Sequence, residues 1–563
     1  MFRQMRRTMA WKAKYKPRCL VGKDEDLSAL NRKDAILACV GLLTIDHLPI
    51  PLTVDLGYSK YQGATVDGGI NQYLGMRFAA PPLGDLRFRA PADPVYNGTV
   101  QPATSFGPTC PYVGYLFPVN SEDCLFINVF APSNATTNSK LPVWFFLSGG
   151  GYSGLSNANY MGNDVITASN HSIILVNVNY RVGAYGFLAS EKVRRDGDLN
   201  AGLLDQRKAL EWVQKYIHLF GGDPNHVVLH GDSAGAGSVA HHLTWAGGRD
   251  DHLFIGTMST SPFFPTERTV PEMEFQFDRF AEAVGCSSNS SNVMNCLRSK
   301  DTATLSVGNV MSPFPGGENT PLFYWLPVID GEVNKNLMYD QFERGQIVRV
   351  PMFVGDDSTE GASFAPNATS NAEFLQFFKD NYPGLTQRDL GEINASYPLT
   401  PMRGDRPAWF GPAADAYGDA TFTCAGNEMA NSEAAYNSPW KVWSYEYAVP
   451  EPNGAADGNP VPHTIEMPAI FGPASVYCTS CSYAEGQVNH PMVPVVMSYY
   501  ISFVKTLDPN PYRLPSTPYW QPWGPRGNSR LRFVLDGTRM ETVPRLQVQR
   551  CDLWKRLAPD MEQ

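Results

Sequence analysis

From about Asp55 onward, short apolar runs alternate with stretches in which apolar positions return at helical intervals. Val143-Trp144-Phe145-Phe146-Leu147 is uninterrupted and ends in Ser148-Gly149-Gly150-Gly151, and a second run spans Ile173 to Tyr180. Runs with so little polar alternation predict strands buried on both faces. Between Asn200 and Phe220 the spacing changes. Leu203, Leu204, Ala209, Leu210, Trp212, Val213, Tyr216, Ile217 and Phe220 recur near a helical period, and Gly221-Gly222-Asp223-Pro224 predicts the stop. A brief strand is expected at His226-Val227-Val228-Leu229-His230, then a serine between glycines, then another helical stretch. Strands alternating with helices predict a mostly parallel β-sheet flanked by helices, an α/β class. Pro- and Gly-rich segments at 312–321 and 450–462 read as insertions over one core, and the chain shows no internal repeat. Residues 1–54 read as an N-terminal extension and 55–563 as a single large domain.

Composition narrows the picture. With 43% hydrophobic residues, 30 Phe, 26 Tyr and 11 Trp, the chain can build a sizeable core, which excludes disordered, collagen-like and coiled-coil classes. The formal net charge of −10 gives no basic field for a polyanion, so nucleic acid is not an expected partner. No stretch reaches the roughly 18 apolar residues needed to cross a bilayer, so no stable membrane insertion is expected. The first acid, Asp24, follows eight basic residues, and Arg32-Lys33-Asp34 precede the apolar run from Ala35 to Leu43. A basic flank before such a run is a secretory pattern, here placed late and without a clear cleavage site. The acid-poor start also fits an organelle transit segment. Asn97, Asn134, Asn170, Asn289, Asn367 and Asn394 each open an N-x-Ser/Thr sequon, and the ten cysteines suit an oxidising compartment. Together these favour a secreted, glycosylated protein.

The candidate chemistry centres on Gly231-Asp232-Ser233-Ala234-Gly235, a G-x-S-x-G pattern between an apolar strand and a helix. A sharp turn there lifts a serine hydroxyl clear of the sheet, with glycines on either side preventing collisions. A serine hydroxyl needs a base, and the base needs an orienting group. His463 lies in a Pro/Gly-rich loop, and Glu360 comes shortly after the apolar run Val350-Pro351-Met352-Phe353-Val354. Taken alone each reads equally as a solvated surface residue, but Ser…Glu…His is the chain order of α/β-hydrolases.

Taken together, these segments resemble the type-B carboxylesterase/lipase family from about Tyr58 to Pro511. The resemblance is carried by Gln72–Phe78 with Pro81-Pro82, by Ser121–Val129, and by Asn179-Tyr180-Arg181-Val182-Gly183. Gly202-Leu203-Leu204-Asp205-Gln206 and Phe220-Gly221-Gly222-Asp223-Pro224 add to it. It implies an α/β-hydrolase fold and a serine carboxylesterase that works through an acyl-enzyme on a small-molecule ester, with no cofactor and no metal. It also implies Ser233 as nucleophile, His463 as base and Glu360 as acid. Gly361 and Phe364 fit the family's E-G-x-x-F segment, and Glu466 with Phe471-Gly472 fits the segment after the histidine. The backbone N–H groups of Gly150, Gly151 and Ala234 would form the oxyanion hole; the plain alternative for the Gly149–Gly151 run is a flexible turn. Ser148 departs from the histidine or bulkier residue of many relatives. Asp232 reads equally as a carboxylate that stabilises the imidazolium and as an acid favoured at a helix N-terminus. Ser259 corresponds to a supporting serine of the family.

The resemblance further implies Cys110–Cys124 and Cys286–Cys296 disulfides. Cys424, Cys478, Cys481 and Cys551 then allow three pairings. Cys478-x-x-Cys481 could suggest redox or zinc chemistry, although a structural disulfide is favoured. Cys19 and Cys39 would leave with the presequence. Family lipases carry a long lid between the first two cysteines, whereas only residues 111–123 separate them here, which points to soluble or modest-sized esters. That loop also lacks the tryptophan with which cholinesterases stack quaternary ammonium, so choline esters are not expected. A lipase, a tailoring esterase or acyl-transfer enzyme of a fungal secondary metabolite, and a silent adhesion protein are the alternatives. The retained triad argues against the last.

Overall fold

A computed structural model describes residues 49–114 and 120–563. The expected presequence up to residue 48, Cys19 and Cys39 included, lies outside the described residues. The first strand, Thr53–Asp55, spans the boundary expected at 54/55 and joins Ser59–Gln62 and Asn97–Pro102 in a small sheet.

Among the described residues the main sheet has eleven strands. In chain order they are β1 (Ala64–Val66), β2 (Ile70–Arg77), β3 (Phe126–Pro132), β4 (Leu141–Leu147), β5 (Ile174–Val178), β6 (Gly222–Asp232), β7 (Gly256–Thr260), β8 (Met352–Asp357), β9 (Val442–Tyr447), β10 (Ser529–Phe533) and β11 (Arg539–Thr542). Their spatial order is β11-β10-β9-β8-β7-β6-β4-β5-β3-β2-β1. Pairing is parallel from β5 through β4, β6, β7, β8 and β9 to β10, and antiparallel at both margins.

The unbroken apolar runs arise because this sheet has two cores. Val143, Phe145 and Leu147 of β4 enter one, while Trp144 and Phe146 enter the other. Val227 and Leu229 of β6 likewise oppose Val228. The first core is closed by α1 (Ala201–Tyr216) and α2 (Ala234–Leu243), and the second by α4 (Met492–Thr506). Each such fully buried side chain contributes about 1.5–3 kcal/mol of transfer free energy. No helix among the described residues is long and apolar enough to cross a membrane.

One boundary differs from the sequence expectation. The helical pattern ends as α1 followed by a 3-10 turn at Ile217–Phe220, closed by Gly221 at φ 86°. The next strand then starts at Gly222, four residues before the expected His226. The chain enters the sheet at once, beside Leu141, and the pairing there is irregular between Leu141 and Val143. That irregularity tolerates Pro224, which has no N–H to donate.

Disulfides join Cys110 to Cys124, Cys286 to Cys296, Cys424 to Cys551 and Cys478 to Cys481. The third ties α3 (Cys424–Tyr436) to α5 (Arg545–Met561). Of the sequon asparagines, Asn97, Asn134, Asn170, Asn289 and Asn367 are exposed, and Asn394 is half-buried with its carbonyl accepting from Asn371.

Because the Cys424–Cys551 bridge closes a separation of 127 residues, it constrains the unfolded chain far more than the three-residue Cys478–Cys481 bridge. Replacing both Cys424 and Cys551 by serine is expected to lower urea-extrapolated stability by about 4 kcal/mol. The same double replacement at Cys478 and Cys481 is expected to cost less than half of that.

Candidate active site

The site forms where β4, β6 and β8 end. At the end of β6 the chain reverses through Ser233, which has φ 53° and ψ −124°, and continues directly into α2. Flanking glycines permit this. A Cβ on Gly231 would lie 2.2 Å from the Gly235 carbonyl oxygen, and one on Gly235 would lie 2.1 Å from the Leu147 carbonyl oxygen. Ser233 itself is fixed by its N–H to Thr260 O (2.9 Å) and by its carbonyl, which accepts from Gly237 N–H (2.9 Å).

The loop carrying His463 brings its Nε2 to 2.8 Å from Ser233 Oγ. Its Nδ1 is hydrogen-bonded to Glu360 Oε2. Glu360, 2% exposed, sits in a short 3-10 turn after β8, where its Oε1 accepts the Asp357 N–H at 2.7 Å. The His463 N–H donates to Ser363 Oγ (3.1 Å), and Thr359 Oγ1 donates to Val461 O while accepting from Val461 N–H. The three residues singled out from sequence, 230 and 103 positions apart, therefore form one chain of hydrogen bonds.

After β4 the glycine run turns back over Ser233. Gly150 and Gly151 have φ of 122° and 61°, which a side chain would disfavour. The N–H groups of Gly150, Gly151 and Ala234 have no acceptor among the described residues, whereas Gly149 N–H donates to Asp232 Oδ1 at 2.9 Å. This gives Asp232 a concrete role, which is to anchor the glycine loop. Burial pushes its carboxyl up to about 7, opposed by the Gly149 bond. Ser148 supports the same loop. Its Oγ accepts from Asn157 N–H (2.9 Å) and its carbonyl accepts from Tyr180 OH (2.7 Å). Ser259 is buried on β7, and its hydroxyl makes no hydrogen bond among the described residues.

Sequence reasoning did not find the aromatic wall around these groups. Phe422 and Phe364 pack on His463 with ring centroids at 4.5 and 5.0 Å. Phe323 lies 4.7 Å from Phe263 and 5.9 Å from Phe364, and its ring is so close to Gly151 that a Cβ there would be 2.2 Å from it. Nor did sequence reasoning give Asp357 or Glu466 a role in the site. Among the described residues no group of three or more His, Cys, Asp or Glu side chains is arranged to hold a metal ion.

The raised carboxyl of Asp232 has a signed consequence. The folded state keeps this proton at pH values where the unfolded chain has lost it, so stability falls as pH rises from the ordinary aspartate range to about 7. Asp232→Asn keeps an acceptor for Gly149 and does not titrate. Relative to wild type it is expected to gain thermal stability on going from acid to mildly alkaline pH, read as the difference in Tm at the two extremes.

The fold and the chain have known relatives. The family model described as the Carboxylesterase family matches residues 52–554. The chain is 29% identical over 532 residues to "Secreted lipase 4" of Gibberella zeae, covering 89% of this chain and 92% of that protein. It is 31% identical over 390 residues to "Lipase 2" of Geotrichum candidum, covering 60% of this chain and 68% of that protein. The crystal structure of Aspergillus niger EstA superimposes with a TM-score of 0.88 at 52% identity, covering 91% of this chain and 99% of that chain. The chain belongs to the carboxylesterase family and is a carboxylic ester hydrolase with an α/β-hydrolase fold.

Proposed function

We propose that Ser233, His463 and Glu360 act as nucleophile, general base and orienting acid in a two-step hydrolysis of short-acyl carboxylic esters. The observation that carries this reading is the 2.8 Å contact between His463 Nε2 and Ser233 Oγ, with Glu360 on the other ring nitrogen. Nδ1–H donates to Glu360, which leaves Nε2 as the acceptor for the serine proton. Ser233 Oγ attacks the ester carbonyl, and the developing oxyanion accepts from the N–H groups of Gly150, Gly151 and Ala234. Each such donor is worth about 3 kcal/mol in the transition state. His463 returns its proton to the departing alcohol, and water, activated by the same imidazole, releases the acid.

The acyl preference is set by the wall. An acyl group on Ser233 with its oxygen near Gly151 faces Phe323 and, behind it, Phe263. The short Cys110–Cys124 loop leaves little chain for a large interfacial flap. A lipase is the second reading, favoured by the names of the Gibberella and Geotrichum relatives. Export is part of the proposal, with Asn97, Asn134, Asn170, Asn289, Asn367 and Asn394 as glycan sites. The disulfides and the relatives named as secreted support it.

Hydrolysis of p-nitrophenyl esters from acetate to palmitate tests the reading. Wild type is expected to prefer the shortest esters, and Ser233→Ala to lose about 10⁴-fold or more in kcat. Phe323→Ala is expected to raise kcat/KM for octanoate relative to acetate by about tenfold. A wild-type optimum at long chains with activation at a lipid surface would establish the lipase reading instead.

A further inference from the structure

Two buried carboxyl groups face each other behind the His463–Glu360 pair. Asp357, 1% exposed, ends β8, and Glu466, fully buried, lies three residues after His463. Asp357 Oδ2 accepts the Thr464 N–H at 2.6 Å, and Glu466 Oε1 accepts the Tyr445 hydroxyl at 3.1 Å. That leaves Asp357 Oδ1 and Glu466 Oε2, both buried and both without a donor among the described residues. The two side chains are within hydrogen-bonding reach of each other. Two carboxylates would leave both of these oxygens unsatisfied and repelling, whereas one carboxyl O–H between them satisfies both.

Asp357 also touches both halves of the catalytic hydrogen-bond chain. Its backbone N–H donates to Glu360 Oε1, and its side chain holds the N–H of Thr464, the residue next to His463. Thr464 has φ 60°, an unfavourable conformation for a β-branched side chain, so it stays there only if something holds it. We infer that Asp357 and Glu466 share one proton and serve as positioning residues. They hold the His463 loop against Glu360 while leaving a single negative charge behind the pair.

The groups facing Asp357 and Glu466 are consistent with one retained proton. They are Glu360 in the 3-10 turn, Asp232 at the elbow, His463, Tyr445 and Tyr447 on β9, Tyr483, and Tyr500 on α4. None of these but His463 can carry a positive charge. Burial is the main cause that pushes both carboxyls upward, and the neighbouring Glu360 adds to it. When alkaline pH strips the shared proton, two like charges meet in a buried site and the clamp on Thr464 opens.

This inference rests on the triad proposed above, and the test separates the two. Activity on p-nitrophenyl acetate is followed from acid to alkaline pH as kcat and KM separately, with folding checked by circular dichroism. Asp357→Ala is expected to lose at least about tenfold in kcat with little change in KM, because the imidazole is misplaced. Asp357→Asn should restore most of that loss and abolish the alkaline decline, since its amide N–H replaces the shared proton and does not ionise. Glu466→Gln places an amide in the same gap and should behave alike, so it stands in should the first variant fail to fold. The double variant Asp357→Asn, Glu466→Gln removes the remaining charge, destabilises the imidazolium and should raise activity on the acid side about threefold relative to neutral pH. Alkaline declines in both single-amide variants that superimpose on wild type would overturn the shared proton. A kcat for Asp357→Ala equal to wild type would overturn the positioning role. Persistent activity in Ser233→Ala would overturn the triad itself.

Discussion

The site depends on how closely a helix can approach the end of a strand. Helix α2 begins so near Leu147 that residue 235 has room for no side chain, and residue 231 is excluded from one by residue 235 in turn. That approach forces Ser233 to φ 53° and ψ −124°, an uncommon conformation for a residue with a Cβ, at a cost of order 1–3 kcal/mol. The surrounding sheet offsets it. β6 is paired on both sides, by β4 and β7, and the serine's own N–H and C=O are both bonded. The same geometry leaves the first N–H of α2 without an acceptor among the described residues, like those of Gly150 and Gly151. Strain at one residue thus produces a raised hydroxyl and, in the proposed mechanism, a place for negative charge beside it.

Charge is handled differently inside the site and outside it. Some buried acids elsewhere are matched by guanidinium groups, as in Arg181–Asp205 and Arg87–Glu122. Within the site, carboxyl groups are held by backbone N–H donors: Asp232 by Gly149, Glu360 by Asp357, and Asp357 by Thr464. A nearby arginine would oppose formation of an imidazolium. Backbone donors fix the acids in place without that opposing charge, which in the proposed mechanism leaves their field to act on the His463 imidazolium. The same choice leaves several carboxyls with raised proton affinity, a cost in stability that the two cores carry.

The strand–serine–helix unit was legible in the sequence because its determinants are local. An unbroken apolar run marks β4, a nearly apolar run marks β5, and glycines two residues either side of Ser233 mark the elbow. Glu360 and His463 had no local signature strong enough to outweigh a surface reading, and they stood out only through resemblance to a family. The Cys424–Cys551 pairing was one of three open choices, because pairing is set by the packing of α3 against α5 and not by spacing. Asp357 was invisible for the same reason, and Glu466 stood out only as part of the family segment after the histidine. An acid at the end of an apolar run reads as a turn residue until the fold buries it against another acid. The early start of β6 was missed because Gly222 and Pro224 look like a helix stop, and only the neighbouring strand shows that the chain is already paired.

On the reading proposed above, the position of the aromatic wall separates chemistry from substrate choice in this fold. The serine and the glycine loop lie at the ends of central strands, where a shift of a residue would disrupt two cores. Phe263, Phe323, Phe364 and Phe422 come from connections between strands, where a side chain can change size while the sheet stays intact. Phe422 is delivered by a π-helical turn, Asp419–Thr423, set between two α-helical segments from Phe410 to Tyr436. Such a turn inserts an extra residue into the helical repeat and rotates the rest of the helix, and π-turns recur at functional sites. Here it places a ring 4.5 Å from His463, on a segment separate from those that hydrogen-bond the His463 side chain. The wall therefore reaches the site through insertions, and Ser233, with the loop over it, stays fixed by the sheet.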